Sequence, residues 1–118
     1  MKRFFIAFLL SVGFFVPLAQ ALGTNTELLP VINSNTTVEI EKNIIFDASS
    51  STTLENENPT FYTWDFGDGT NDKGTNVVHT YHEAGNYQVT LTLTQGEASA
   101  TIANNIFVYK RLILLLTD

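Results

Sequence analysis

The sequence predicts an all-β fold, built as a sandwich or a barrel. Between residues 36 and 109, short segments of alternating apolar and polar residues recur at roughly even intervals. Groups of Gly, Pro, Asn and Asp that favour turns separate these segments. No part of this region places its apolar residues at helical spacing. Together, the three observations favour packed β-layers over helical or mixed folds.

The first 21 residues have the layout of a secretory signal peptide. Met1-Lys2-Arg3 is basic, residues 4–16 are almost entirely apolar, and Ala19-Gln20-Ala21 offers a site for a signal peptidase. The apolar run of about 13 residues is shorter than the roughly 20 residues that a transmembrane helix needs. We therefore expect a secreted or cell-envelope protein that meets the membrane only during export. The alternative is an uncleaved signal anchor.

The composition argues against several classes of function. The chain has 6 basic and 12 acidic residues, and loss of Lys2 and Arg3 with the signal would leave a net charge near −8. Such an acidic surface repels phosphate backbones, so we expect no nucleic-acid partner. The chain has no cysteine, which excludes disulfides, thiol catalysis and cysteine-based metal sites.

The first half of the predicted domain alternates in two short stretches. Residues 22–35 contain Gly23 and Pro30 and show little periodicity, so we interpret them as a linker before a domain at residues 36–109. Between residues 37 and 47, period-two alternation predicts strand structure with one buried face, formed by Val38, Ile40, Ile44 and Phe46. Residues 48–60 are polar and end near a proline, which predicts a loop.

The second half contains the clearest strands. In residues 61–66, Tyr62, Trp64 and Phe66 share one face, and the following Gly67-Asp68-Gly69 predicts a tight turn. Residues 77–81 form a short strand. A long strand covers residues 87–94, a hairpin turn covers residues 95–97, and the last strand begins at residue 98 and resumes at residues 106–109.

The segment around Trp64 resembles the PKD domain family, named after the polycystic kidney disease protein. The family pattern of Tyr, any residue and Trp-Asp-Phe-Gly-Asp-Gly is present in full at residues 62–69. The His-Thr-Tyr stretch at residues 79–81 and the later Gly-x-Tyr stretch also fit. The resemblance therefore rests on Tyr62, Trp64, Asp65, Phe66, Gly67, Asp68, Gly69, His79, Tyr81, Gly85 and Tyr87.

The resemblance implies an immunoglobulin-like sandwich of about seven strands. It also implies a module without catalytic residues, which binds a protein or carbohydrate ligand or acts as a spacer in a secreted or cell-surface protein. The alternative is an accessory domain of an exported hydrolase, a protease or a glycosidase, whose catalytic part lies outside this chain.

Calcium is the one cofactor that the resemblance raises, because some relatives bind it in the loop after the second strand. Here that loop offers oxygen ligands from Glu55, Asn56, Glu57 and Asn58, but it lacks the short Asp pattern of those relatives. We therefore interpret it as a solvated acidic loop, with a calcium-stabilised linker as the weaker hypothesis.

Several side chains could carry chemistry or binding. Asp65 and Asp68 could form a carboxylate pair, but the interleaved glycines favour a turn role. His79 and His82 could bind a metal, yet a spacing of three on a strand would place them on opposite faces. We find no catalytic constellation. Trp64 is expected in the core, so the candidates for ligand stacking are Phe61 and Tyr109.

Residues 110–118 do not continue the alternation. Lys110-Arg111 precedes a run of five aliphatic residues, too few to span a membrane. We interpret this tail as the possible start of a further α/β domain, whose parallel strands are apolar on both faces. The alternatives are the beginning of a membrane helix and a tail that pairs with a partner chain.

Overall fold

A computed structural model describes residues 27–116 of the chain. The predicted signal peptide at residues 1–21 lies outside this range. Within the described range, nine strands occur in chain order: β1 Leu28–Leu29, β2 Thr37–Glu39, β3 Asn43–Asp47, β4 Thr52–Thr53, β5 Phe61–Asp65, β6 Asn71–Lys73, β7 Asn76–Thr80, β8 Gly85–Gln95 and β9 Ala98–Tyr109. Residues 27–116 contain no helix that is long and apolar enough to cross a membrane.

The strands form one large and two small sheets. The five-stranded sheet has the order β2-β9-β8-β5-β6, and β2 is its only parallel member, paired with β9. The antiparallel pairs β3-β7 and β1-β4 form the two small sheets. The hairpin β8-β9 is the longest pairing, and Gly96 in its turn has the positive φ of 61° that such a reversal requires.

The core lies between the five-stranded sheet and the β3-β7 pair. Trp64 is fully buried; its ring centroid lies 5.6 Å from that of Phe46, and its indole N–H donates to the Gly74 carbonyl at 2.8 Å. The inward side chains of β8 and β9 complete this core with Val89, Leu91, Leu93, Ile106 and Val108. The long strand predicted at residues 87–94 is therefore confirmed as part of β8.

The stretch from residue 37 to residue 47 forms two strands in two different sheets. Glu41 adopts a left-handed φ of 64°, and its amide donates to the Tyr81 carbonyl at 2.9 Å. The chain leaves β2 beside β9 and enters β3 beside β7 at this turn. The alternation is the same on both sides of the turn, so the sequence pattern does not reveal the change of sheet.

The N-terminal boundary of the ordered sandwich lies earlier than residue 36. Leu28 is buried in the core, and β1 pairs with β4 inside the stretch that we predicted to be a loop. Asn33 also exchanges two backbone hydrogen bonds of 2.9 Å with Asp47. Residues 27–35 therefore belong to the sandwich, and the interpretation of residues 22–35 as a linker needs this correction.

Candidate functional site

The turn after β5 uses its carboxylates to hold the backbone. Asp65 Oδ1 accepts a hydrogen bond from the Gly67 amide at 2.9 Å, and Asp68 Oδ1 accepts one from the Thr70 amide at 3.0 Å. The Phe66 amide closes the turn by donating to the Thr70 carbonyl at 3.0 Å. The two carboxylates therefore act as turn residues, as expected, and do not form an acid–base pair.

A cluster of aromatic and polar side chains ties this turn to β7. Asp68 Oδ2 lies 2.8 Å from His79 Nε2, and the His79 ring stacks on Phe66 with centroids 4.0 Å apart. Tyr81 meets His79 edge-on and donates its hydroxyl to the Phe66 carbonyl at 2.8 Å. The Thr70 hydroxyl also donates to Asp68. The carboxylate thus lies between the hydroxyl and the imidazole, whereas a nucleophilic triad places the imidazole in the middle.

The two histidines do not share a ligand site. His82 Nδ1 lies 3.0 Å from Glu41 Oε2, while His79 faces Asp68. The Glu41 contact raises the pKa of the exposed His82. Each imidazole is thus occupied by a different carboxylate, and the metal-binding alternative for this pair has no geometric support.

The Asp68 contacts predict a pH-dependent contribution to stability. Burial alone would raise the pKa of Asp68, but hydrogen bonds from Thr70 and His79 outweigh it and lower the pKa below its ordinary value of 3.8. A lowered pKa in the folded state stabilises the protein above pH 3.8, and this contribution is lost as the pH falls through the folded-state pKa. We expect Asp68→Asn to lower the Tm by a few degrees at pH 7 and by less near pH 2, in thermal melts across that range.

Asp72→Asn is the control for this prediction, because Asp72 accepts only the adjacent Lys73 amide at 2.8 Å on the exposed strand β6. Its Tm should follow that of the unaltered protein at each pH. A constant deficit of Asp68→Asn from pH 7 to pH 2 would contradict the assignment of the effect to the ionised carboxylate.

The acidic loop is closed by hydrogen bonds of the Thr53 hydroxyl and of the Thr53 and Glu57 backbones. Thr53 Oγ1 accepts the amides of Glu55 and Glu57 at 3.2 and 3.0 Å, and the Glu57 carbonyl accepts the Thr53 amide at 3.0 Å. Asn56 takes a left-handed φ of 66° at the tip. In residues 27–116, no group of three or more His, Cys, Asp or Glu side chains could hold a metal ion. Calcium binding by the oxygens of Glu55, Asn56, Glu57 and Asn58 stays a prediction.

The outer face of the five-stranded sheet is the most distinctive surface of the described chain. It is lined by uncharged polar side chains that pair across β5, β8 and β9, namely Thr63, Gln88, Thr90, Thr92, Thr94, Ser99, Thr101 and Asn105. Charged side chains that the register places on this face include Asp65, Lys73 and Glu39. A surface of this kind offers many hydroxyl and amide hydrogen-bonding groups on a broad, extended platform.

Exposed aromatic side chains lie at both ends of this platform. Phe61 is 64% exposed at one end, and Phe107 and Tyr109 are 48% and 37% exposed at the other. The rings of Phe107 and Tyr109 lie 6.4 Å apart and nearly parallel. Phe61 and Phe107 pair with Thr94 and Asn86 of β8, positions that strand geometry places about 27 Å apart. Phe107 is not among the stacking residues predicted from the sequence, although its place between buried Ile106 and Val108 indicates an outward side chain.

A cleft opens beside Phe61. It encloses about 630 Å³, and its walls combine the aromatic ring with polar groups from Ser49, Asn58, Lys73, Thr75 and Thr94. Lys73 forms no ion pair within residues 27–116, so its ammonium group is available to a ligand. Phe61 therefore lies next to a concave site, whereas Phe107 and Tyr109 lie on an open surface.

Comparisons with known proteins show similarity to the PKD domain and to short parts of two bacterial collagenases. The profile of the PKD domain matches residues 28–108. The chain is 39% identical over 70 residues to collagenase ColA of Clostridium perfringens, covering 59% of this chain and 6% of the collagenase. It is 31% identical over 93 residues to a microbial collagenase of Vibrio alginolyticus, covering 79% of this chain and 11% of that enzyme. The chain thus spans only a small part of the curated relatives it matches.

Solved structures agree with the fold. Carbohydrate-binding modules from the β-sandwich superfamily match with a TM-score of 0.68 and 25% identity, over 75% of this chain and 36% of theirs. The PKD1 domain of the Vibrio cholerae metalloprotease PrtV matches with a TM-score of 0.59 and 26% identity, over 71% of this chain and 99% of that domain. The all-β sandwich predicted from the sequence is confirmed.

Proposed function

Because this chain belongs to the PKD domain family, whose profile matches residues 28–108, we propose that it is a non-catalytic, exported module that binds a protein or carbohydrate ligand. The ligand lies on the outer face of the five-stranded sheet. The single observation that carries the proposal is the pattern of this face: a threonine-rich platform with exposed aromatic rings at both ends.

The chemistry of the face suits an extended, hydroxyl-rich or amide-rich polymer. Aromatic rings stack on the apolar faces of sugars or on proline rings, while threonine, asparagine and glutamine side chains exchange hydrogen bonds with hydroxyl or peptide groups. The distance between the two aromatic ends fits several sugar units or a short extended peptide. A small ligand could not contact both ends at once.

The relatives support both ligand classes. Two of them are named as collagenases, and collagen is a fibrous protein outside cells. A structural neighbour is described as a carbohydrate-binding module. Either ligand would require export, in agreement with the predicted signal peptide. We therefore propose an extracytoplasmic location, in the medium or in the cell envelope.

The alternative is that the chain is the accessory domain of an exported hydrolase. It is favoured by the short coverage of the collagenases, 6% and 11% of their lengths, because such a domain is only one part of each enzyme. The test is the reading frame that follows Asp118. A continuous frame encoding a protease or glycosidase domain would support the alternative, and an immediate stop codon would exclude it.

Loss of the aromatic ends should weaken ligand binding. We expect Phe61→Ala and Tyr109→Ala each to reduce binding by about ten-fold, because exposed aromatic anchors dominate such contacts. The ligand is insoluble collagen or a glycan that binds the unaltered protein. Pull-down assays and a glycan array measure this effect. Leu54→Ala is the matched control, since Leu54 is similarly exposed, at 51%, but lies in the loop after β4.

The outcomes separate binding from a spacer role. Equal loss in the Leu54 control would point to unfolding or non-specific adhesion. Absence of binding to any fibrous protein or glycan would contradict the proposed function and leave only the spacer role.

A further inference from the structure

Strand β7 has an open edge. It pairs with β3 on one side only, and no other described segment pairs with its second side. The open edge of β3 is partly covered, because Asn33 bridges to Asp47. The backbone groups of β7 that face away from β3 are therefore free to pair with another strand.

The open edge of β7 also lacks the features that usually protect such edges. Its sequence, Asn-Val-Val-His-Thr, contains no proline, lysine or acidic residue. The edge strand β6, by contrast, carries Asp72 and Lys73, and the edge strand β2 carries Glu39. β7 is thus the edge of this domain that is best suited to accept a strand.

The surface beside this edge is apolar. Val78 of β7 and Ile45 of β3 are cross-strand neighbours on the outer face of the small sheet, 53% and 61% exposed. A strand added along β7 would place every second side chain in line with this pair, and apolar side chains there would extend it.

The same chain carries a segment that matches this edge. Residues 112–116 are five consecutive aliphatic residues, each between 76% and 87% exposed. The segment has the same length as β7, and no described hydrogen bond holds it. Just before it, Arg111 forms an ion pair of 3.0 Å with Glu39, which holds the start of the aliphatic run close to β2.

We propose that residues 112–116 of one copy of this chain pair as a β-strand with the open edge of β7 of a second copy. The addition covers Val78 and Ile45 and removes the aliphatic side chains from water. The partner is a second copy because each chain carries both the open β7 edge and the aliphatic segment that pairs with it. The flanking Lys110 is also basic, whereas the domain that receives the strand is acidic.

The contact joins two different surfaces, so it does not close on itself in a dimer. Each copy that donates its tail still has a free β7 edge, and repetition builds a chain of domains. Such a chain would present its ligand-binding faces at regular intervals, which raises avidity for a repetitive polymer. The pairing itself does not depend on the proposed ligand.

Cysteine cross-linking tests the pairing in the full chain, because the natural sequence contains no cysteine. One copy carries Val78→Cys, and a second copy with a different epitope tag carries one cysteine at a position from 112 to 116. Both are produced together and treated with a mild oxidant. We expect disulfide-linked heterodimers at alternate tail positions only, because side chains of a strand point to the same face at every second residue.

Leu54→Cys replaces Val78→Cys in the control, because Leu54 is 51% exposed but lies in the loop after β4. At the alternate tail positions, Val78→Cys should give about ten-fold more heterodimer than Leu54→Cys. The reason is that adjacent strands raise the effective concentration of the thiols. Circular dichroism checks that each variant is folded.

Three results would overturn the proposal. The first is the absence of heterodimer at every tail position. The second is equal cross-linking at all five positions, which indicates collisions between unordered tails. The third is an intramolecular disulfide, without dimer, in a chain that carries both cysteines, which shows that the tail covers its own β7.

Discussion

Trp64→Ala is expected to lower the free energy of unfolding by about 3–5 kcal/mol. The Trp64 side chain is completely buried between the sheets and contacts the Phe46 ring at a centroid distance of 5.6 Å. Its removal leaves a large cavity, and the Gly74 carbonyl loses the indole N–H that donates to it at 2.8 Å. Because a domain of this size has a total stability of about 5–15 kcal/mol, the variant should be close to unfolding. Chemical denaturation measures the change.

Two further variants separate the causes. Trp64→Phe keeps most of the apolar volume but loses the hydrogen bond, so we expect a smaller loss of about 1–3 kcal/mol. Phe61→Ala changes the same strand on its exposed face. Its free energy of unfolding should stay within about 0.5 kcal/mol of that of the unaltered protein. Similar losses for Trp64→Ala and Phe61→Ala would contradict the two-layer core.

The long strands could be predicted because period-two alternation is a local signal that burial enforces. In β8, Val89, Leu91 and Leu93 are all buried, and threonines occupy the alternate positions between them. The same pattern identifies the inward Trp64 in β5. In each case the residues on one face lie against the opposite sheet, so the sequence directly records the burial.

The short strands could not be predicted because their residues show no such alternation of apolar and polar side chains. All three residues of β6 are exposed, and its strand structure depends on pairing with Thr63, Trp64 and Asp65 of β5. β1 and β4 have two residues each and exist only as partners of one another. Their positions are set by tertiary pairing, which no local pattern contains.

In the candidate site, too, some residues could be predicted from the sequence and others could not. Phe61 and Tyr109 could be predicted as outward aromatic side chains from their parity on the strands. The cleft beside Phe61 could not, because it brings Ser49, Asn58 and Lys73 together from separate segments. The Asp68–His79 contact also joins residues that are eleven positions apart in the chain. Only the folded topology places these groups next to each other.

Gly67→Ala is expected to lower the free energy of unfolding by about 2–4 kcal/mol, through backbone conformation and steric overlap. Gly67 has a φ of 80°, in the left-handed region that disfavours a side chain. A Cβ atom at this position would lie 2.6 Å from the Gln88 carbonyl oxygen and 3.1 Å from the Gln88 amide nitrogen. These atoms belong to the backbone of β8, the central strand of the large sheet, so they cannot move aside without disturbing its pairing with β5 and β9.

Gly69→Ala separates the two contributions. Gly69 has a comparable φ of 92°, but apart from its own and its two neighbouring residues, no atom of the described chain lies within 4 Å of the position that a Cβ would occupy. This variant should therefore lose only the conformational part, about 1–2 kcal/mol. The difference between the two variants in denaturant unfolding measures how closely the turn after β5 approaches β8. Equal losses at the two glycines would show that the approach at Gly67 is relieved at no cost, and the glycine would then be required by the left-handed turn alone.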